Sequence, residues 1–182
     1  DKDNGWIVGE NGLVLRTSDG GANWEVLRNL GMLKTLFGVD FLTKDFGFIT
    51  GADGFIVMTR DGGETWIPPR WKSMPVVHHI FQVFMKATED WVPGHPLGLD
   101  IYAVGHGVFI HTYGFLEKNW ERVINVDRDI TYTWLYDLTF VTDHVGFAVG
   151  EDGLILRTWD EGLHWAAIEY GYEYEEYEEY EE

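Results

Sequence analysis

Short apolar runs separated by glycine turns recur along the chain in a fixed order. Gly5-Trp6-Ile7-Val8-Gly9, Gly47 to Gly51, Ile101 to Gly105 and Gly146 to Gly150 each close on a glycine, and a second run follows at Leu13 to Leu15, Phe55 to Met58, Val108 to Ile110 and Leu154 to Leu156. Two apolar runs around so short a turn predict a β-hairpin. The runs are continuous rather than alternating, which predicts strands covered on both faces, as in a sheet packed between two neighbours. A third run precedes the hairpin at Leu36 to Phe41 and at Tyr136 to Phe140. Its counterpart in the third unit is Ile80 to Phe84, set back by an 11-residue insertion holding Pro93, Gly94 and Pro96. A fourth run opens at each of Trp24, Trp66, Trp120 and Trp165.

Four such units, at about residues 5–27, 36–69, 80–124 and 136–168, occupy most of the 182 residues. A period of this length is the mark of a repeat fold, in which one unit cannot bury its apolar face alone. Four strands per unit in meander order predict an all-β β-propeller of four-stranded antiparallel blades. The first unit lacks its first strand, since four residues precede Gly5. Either the C-terminal stretch 168–174, where Ile168, Tyr170, Tyr172 and Tyr174 alternate with Glu and Gly, closes the ring, or the blades belong to a larger propeller. Residues 175–182 read as a solvated acidic Tyr/Glu tail.

Composition supports the all-β reading, with 22 Gly, 9 Trp, 9 Tyr and 11 Phe. The absence of cysteine excludes disulfides, thiolate metal sites and cysteine nucleophiles. A net charge of −18, eight of it from Glu169 to Glu182, disfavours nucleic acid and anionic membrane surfaces as partners, because phosphates need clustered Lys and Arg. No apolar run approaches the ~20 residues of a membrane span, so direct insertion is not expected. The sequence starts at Asp1, inside a repeat and without Met, so a removed export signal and an extracytoplasmic location are expected.

The turn ahead of each tryptophan carries a second pattern: Thr17-x-Asp19-x-Gly21 before Trp24, Thr59-x-Asp61-x-Gly63 before Trp66, and Thr158-x-Asp160-x-Gly162 before Trp165. This is the Asp-box, or BNR repeat. Its Thr and Asp oxygens are suited to bonding the N–H groups of their own loop, its Gly to a left-handed backbone, and its Trp to wedging between sheets. The third copy, Tyr113 to Trp120, has lost both Asp and Gly. With the G-W/F-x-V/T-G strand and the L-V-L-R-T or L-I-L-R-T strand, the repeat resembles the photosystem II stability/assembly factor family of Asp-box propellers. That resemblance implies a non-catalytic, exported or lumenal propeller that holds a partner protein during assembly, as part of a membrane or multi-subunit complex.

Three kinds of site compete on the residues. Glycoside hydrolysis, the alternative function, would use Asp40 and Asp137, which share a face of the first strand. Arg16 and Arg157 recur eight residues before Trp, where the other copies have Met58 and Thr112, and their placement spreads them around a ring instead of converging them. Metal binding has little support: His78 and His79 are adjacent and face opposite ways on a strand, and His95, His106 and His111 have no ligand spacing. No cofactor is expected, and calcium on exposed carboxylates would be loosely held. Partner binding fits best. The loops from each fourth strand to the next first strand emerge on one face and carry Arg28, Lys34, Arg70, Trp71, Lys72, Arg128, Tyr132 and Trp134, the residue types of interface hot spots.

Overall fold

The computed structural model describes residues 1–27, 33–68, 78–88, 91, 98–113, 121–123, 126 and 133–169. Their strands form four antiparallel sheets, each a meander of sequence neighbours. The first comprises β1 (Gly5–Val8), β2 (Val14–Thr17) and β3 (Glu25–Leu27). The second comprises β4 (Leu36–Phe41), β5 (Gly47–Gly51) and β6 (Ile56–Thr59), with a Met58–Ile67 bridge where a fourth strand begins. The third holds β7 (Ile80–Ala87), β8 (Leu99–Gly105), β9 (Val108–Tyr113) and β10 (Glu121–Arg122). The fourth holds β11 (Leu135–Phe140), β12 (Gly146–Gly150), β13 (Ile155–Thr158) and β14 (Ala166–Ala167). These are four successive propeller blades. Their inner strands β4, β7 and β11 lie side by side, and β1 flanks β4. Among the described residues the first blade has no inner strand.

The apolar core is divided among the joints between blades. Val14, Leu36, Ile49 and Val57 fill the first joint, with Trp6 and Leu27 against them. Phe48, Ile56 and Met58 meet Ile80, Val83, Ile101 and Ile110 at the second. Tyr102, Val104 and Phe109 meet Leu135, Leu138, Ala148, Leu156 and Trp165 at the third. Because side chains alternate across a strand, neighbours such as Phe48 and Ile49 face different joints, and both are wholly buried. That explains the unbroken apolar runs. At the two end blades the alternation returns: Ile7 is 45% exposed and Val149 41%, while Val14 and Ala148 are buried.

The glycine closing each second strand has a steric cause. A Cβ on Gly105 would lie 2.0 Å from the His79 carbonyl oxygen; on Gly51 it would lie 2.5 Å from that of Thr35, and on Gly150 2.5 Å from that of Trp134. In each case the obstacle is backbone entering the inner strand of the same blade. Among the described residues the blade of Gly9 has no such strand, and a Cβ there would meet nothing nearer than Leu13 at 3.8 Å.

The third blade differs from its expected alignment. Ile80 pairs with Gly105 where Leu36 pairs with Gly51, so the insertion is ten residues rather than 11, and Met85, not Phe84, stands where Phe41 and Phe140 stand. The longer β7 runs on to Ala87, so an aromatic residue no longer marks its end. The turn after β8, Gly105-His106-Gly107, is one residue shorter than its counterparts, so the residue facing Tyr102 is His111, not Thr112, as Arg16 faces Trp6, Met58 faces Phe48 and Arg157 faces Phe147.

Candidate interaction surface

Each inner strand carries a bulge one residue after its start. The register skips between Leu36 and Gly38, between Ile80 and Gln82, and between Leu135 and Asp137, leaving Phe37, Phe81 and Tyr136 unpaired. A bulge turns its extra residue away from the alternation and re-aims the side chain. The three rings meet: Phe37 and Phe81 centroids are 5.3 Å apart, and those of Phe81 and Tyr136 5.8 Å. Trp134 joins at 5.6 Å from Phe81, and His106 packs on Trp134 at 5.0 Å. His79 and His78 extend the cluster against Phe37 and His106. Phe37, Trp134 and Tyr136 remain 40%, 37% and 47% exposed. Three blades thus share one half-exposed aromatic surface at the end where their inner strands begin.

Polar groups hold its frame. Asn11, Asp53 and Asp152 take left-handed φ values of 57°, 55° and 54° in the turns after the second strands, a conformation that short Asn and Asp side chains tolerate. The Asp53 amide donates to His79 Nδ1 at 3.2 Å, and Lys34 Nζ reaches the Asp53 carboxylate at 3.3 Å. The Trp134 amide donates to the Glu151 carboxylate at 2.9 Å.

Of the residues expected on this face, Lys34 and Trp134 lie here, with Lys34 in its ion pair and Trp134 in the ring cluster. Arg28, Arg70, Trp71, Lys72, Arg128 and Tyr132 fall outside the described residues. Phe37, Phe81 and Tyr136 are members that strand periodicity misses. Their signal is a repeated pair, an aliphatic residue followed by an aromatic one: Leu36-Phe37, Ile80-Phe81 and Leu135-Tyr136.

The Asp-boxes sit at the opposite end of the strands and are closed on themselves. Thr17 Oγ1 donates to Asp19 and accepts the Gly21 amide at 3.0 Å, and Asp19 accepts the Asn23 amide and side chain. Thr59, Asp61, Gly63 and Thr65 repeat this pattern, as do Thr158, Asp160, Gly162 and His164. The Asn23 side chain, with the Asn23 amide and the Thr17 hydroxyl, holds the Asp19 carboxyl down at about 2. Burial pulls Asp61 and Asp160 upward, but bonds from Thr65 and Thr59, and from His164 and Thr158, outweigh it and leave both lowered. These carboxylates are committed acceptors within their own loops. Trp66 packs edge-on against Phe41 of its own blade and borders the first joint with Trp6 and Val14, and Trp165 packs against Phe140 of its own blade and Phe109 of the preceding one. Trp24 is 40% exposed, because no blade precedes the first among the described residues.

Asp40 accepts the Met85 amide at 2.8 Å and ties β4 to β7; burial raises its pKa despite bonds from the Met85 and Phe41 amides. Asp137 is exposed and accepts the Leu138 amide. The bulge alignment puts Asp137 level with Gly38 and Asp40 level with Thr139, on the inner strands of blades that β7 separates. Among the described residues no three His, Asp or Glu side chains are grouped to hold a metal ion.

Comparison with known proteins places this geometry. Residues 26–123 match the model of the family described as photosynthesis system II assembly factor YCF48. Among solved structures, YCF48 from Cyanidioschyzon merolae matches with a TM-score of 0.60 and 16% identity over 91% of this chain and 56% of that one. A YCF48 bound to D1 peptide matches with a TM-score of 0.53 and 19% identity, over 91% of this chain and 64% of that one. The GH74 enzyme of Niastella koreensis shares the fold, with a TM-score of 0.64 and 14% identity over 91% of this chain and 28% of that one. The chain therefore spans less than two thirds of each of these structures. No curated protein matches it.

Proposed function

The chain belongs to the photosynthesis system II assembly factor YCF48 family, and we propose that it is a non-catalytic module that holds an extended segment of a partner protein on its aromatic surface. The observation that carries this reading is the ring cluster of Phe37, Phe81 and Tyr136, presented by bulges at one position on three blades, with Trp134 packed beside Phe81. Half-exposed aromatic residues in one patch give large contact area at low entropic cost, and such anchors dominate binding energy. The YCF48 structure with a D1 peptide supports a peptide segment of a membrane-complex subunit as the class of partner. An extracytoplasmic setting is a further part of the proposal; it rests on the resemblance to exported and lumenal propellers, and fractionation of the source cells tests it.

A D1 peptide serves as the probe. Its addition should quench or shift the tryptophan emission of the chain in a saturable way, and Phe81→Ala or Trp134→Ala should weaken binding about tenfold or more. Absence of binding, or equal affinity in variants that keep their β-sheet circular dichroism, would refute the reading.

A further inference from the structure

The histidines of the aromatic surface all belong to the third blade. His78 and His79 lead into β7, and His106 lies in the turn after β8. Because β7 stands between β4 and β11, a segment that touches both Phe37 and Tyr136 crosses this blade and lies over Phe81 and the imidazoles around it. The His79 ring is 5.7 Å from that of Phe37 and 6.3 Å from that of Phe81. His106 packs on Trp134 at 5.0 Å and on His78 at 5.2 Å. His78 is exposed, His106 is half-buried and the His79 side chain is 43% exposed, so each has area left for a ligand to cover.

The hydrogen bonding of His79 fixes its tautomer. A main-chain N–H only donates, so His79 Nδ1, which takes the Asp53 amide at 3.2 Å, carries a lone pair, and the proton of the neutral ring sits on Nε2. Nothing among the described residues accepts from that Nε2–H. A second proton would enter at Nδ1, where it meets the Asp53 N–H. Asp53 holds the left-handed φ of 55° in its turn, and its carboxylate, 4.0 Å from Nδ1, is already paired with Lys34 at 3.3 Å. Charging His79 therefore breaks a contact of the frame and finds its nearest carboxylate engaged. On the side of the fourth blade Glu151 is engaged too, by the Trp134 amide at 2.9 Å. His78 and His106, when both are protonated, set two like charges against each other.

We propose that capture of the partner segment is proton-linked: the segment is held while the imidazoles of the third blade are neutral, with His79 Nε2–H donating to one of its main-chain carbonyls, and is released as they charge. This rests on the reading of the aromatic surface as the place that holds a partner segment. An apolar or aromatic stretch laid over an imidazole takes it out of water, which penalises the charged form. Imidazoles change charge between about pH 5 and 8, so affinity falls with pH through that range, by up to about tenfold per pH unit for each imidazole that must be neutral.

Calorimetric titration with the D1 peptide tests it. From about pH 7.5 to about pH 5.5 the wild type should lose about tenfold or more in affinity, and the joint variant of His78→Gln, His79→Gln and His106→Gln less than about threefold. His79→Gln and His106→Gln singly should each flatten the profile in part, which keeps the test decisive where the joint variant does not fold. At about pH 7.5, His79→Gln, which keeps an N–H donor, should bind like the wild type, and His79→Leu about fivefold or more weakly. A flat wild-type profile, tighter binding in acid, or a loss that persists in the Gln variants would overturn the inference and leave the reading of the surface standing. Equal affinity of His79→Leu and the wild type would overturn the donor assigned to His79. Absence of binding at every pH would overturn the surface reading and this inference together.

Discussion

Alanine at the four equivalent glycines separates steric demand from repeat likeness. At Gly105 the new methyl would sit 2.0 Å from the His79 oxygen and 3.0 Å from both the His79 carbonyl carbon and Ile80 Cα, all backbone. Relief requires the start of β7 to move away from β8, which breaks the 3.1 Å bond from the His106 amide to the His79 carbonyl. Overpacking costs about 1–3 kcal/mol and a lost buried hydrogen bond about 1–3 kcal/mol more, so Gly105→Ala should destabilise by roughly 2–6 kcal/mol. Gly51→Ala and Gly150→Ala, with contacts of 2.5 Å, should fall below it. Gly9 is extended, with φ −167° and ψ −160°, and its methyl would make an ordinary contact at 3.8 Å. Gly9→Ala should therefore be neutral or stabilise by about 0.5 kcal/mol, through the stiffer unfolded chain. Urea denaturation followed by tryptophan fluorescence measures the series. Gly105→Ala without a loss would refute the steric account. A loss at Gly9 as large as that at Gly105 would indicate a strand against Gly9, as the closing-strand expectation for 168–174 requires.

Two further changes test the joints. Asp100 is buried and raised to about 6 by desolvation, with Lys86 at 3.9 Å opposing the shift and Glu161 adding to it. The fold therefore prefers the protonated acid, and stability from this group falls as pH rises from about 4 to 6, by roughly 3 kcal/mol in all, and is flat above. Asp100→Asn should match the wild type at pH 4 and exceed it progressively up to pH 6 in thermal melts; a gap independent of pH would refute this. Tyr102→Phe removes the 2.8 Å bond to Glu161 of the next blade and should cost about 1 kcal/mol in urea titration, with near-ultraviolet circular dichroism retained; no loss would discount that bond as a joint contact.

What is legible in the sequence follows from what is periodic. The hairpins and sheet order can be read because each blade repeats its glycine turn and apolar runs, and because Phe48 and Ile49 must both be buried when a strand lies between two joints. The Asp-box turns are equally plain, since their oxygens and amides satisfy one another within a few residues. The aromatic surface escapes the same reading. Counting in twos along β4 places Phe37 with Val39 and Phe41, but the bulge removes Phe37 from that alternation. Two length changes likewise shift the third blade: the insertion puts Met85 in the place that counting gives to Phe84, and the shorter turn after β8 puts His111 in the place of Thr112.

Departures from the repeat therefore carry more information than the repeat itself. Among the described residues no strand crowds Gly9 and no blade covers Trp24. Arg157 meets no carboxylate among them, although Arg16 at the same position is paired. Gly9 and Trp24 have counterparts in contact at the interior blades, and Arg157 has one at Arg16 of the first blade, where Glu64 of the next blade meets it. A residue whose counterparts work by contact is explained by that contact. On the aromatic surface the logic inverts. Phe37 and Tyr136 each pack on Phe81 and still remain 40% and 47% exposed, and this apolar area is the surface proposed to hold the partner segment.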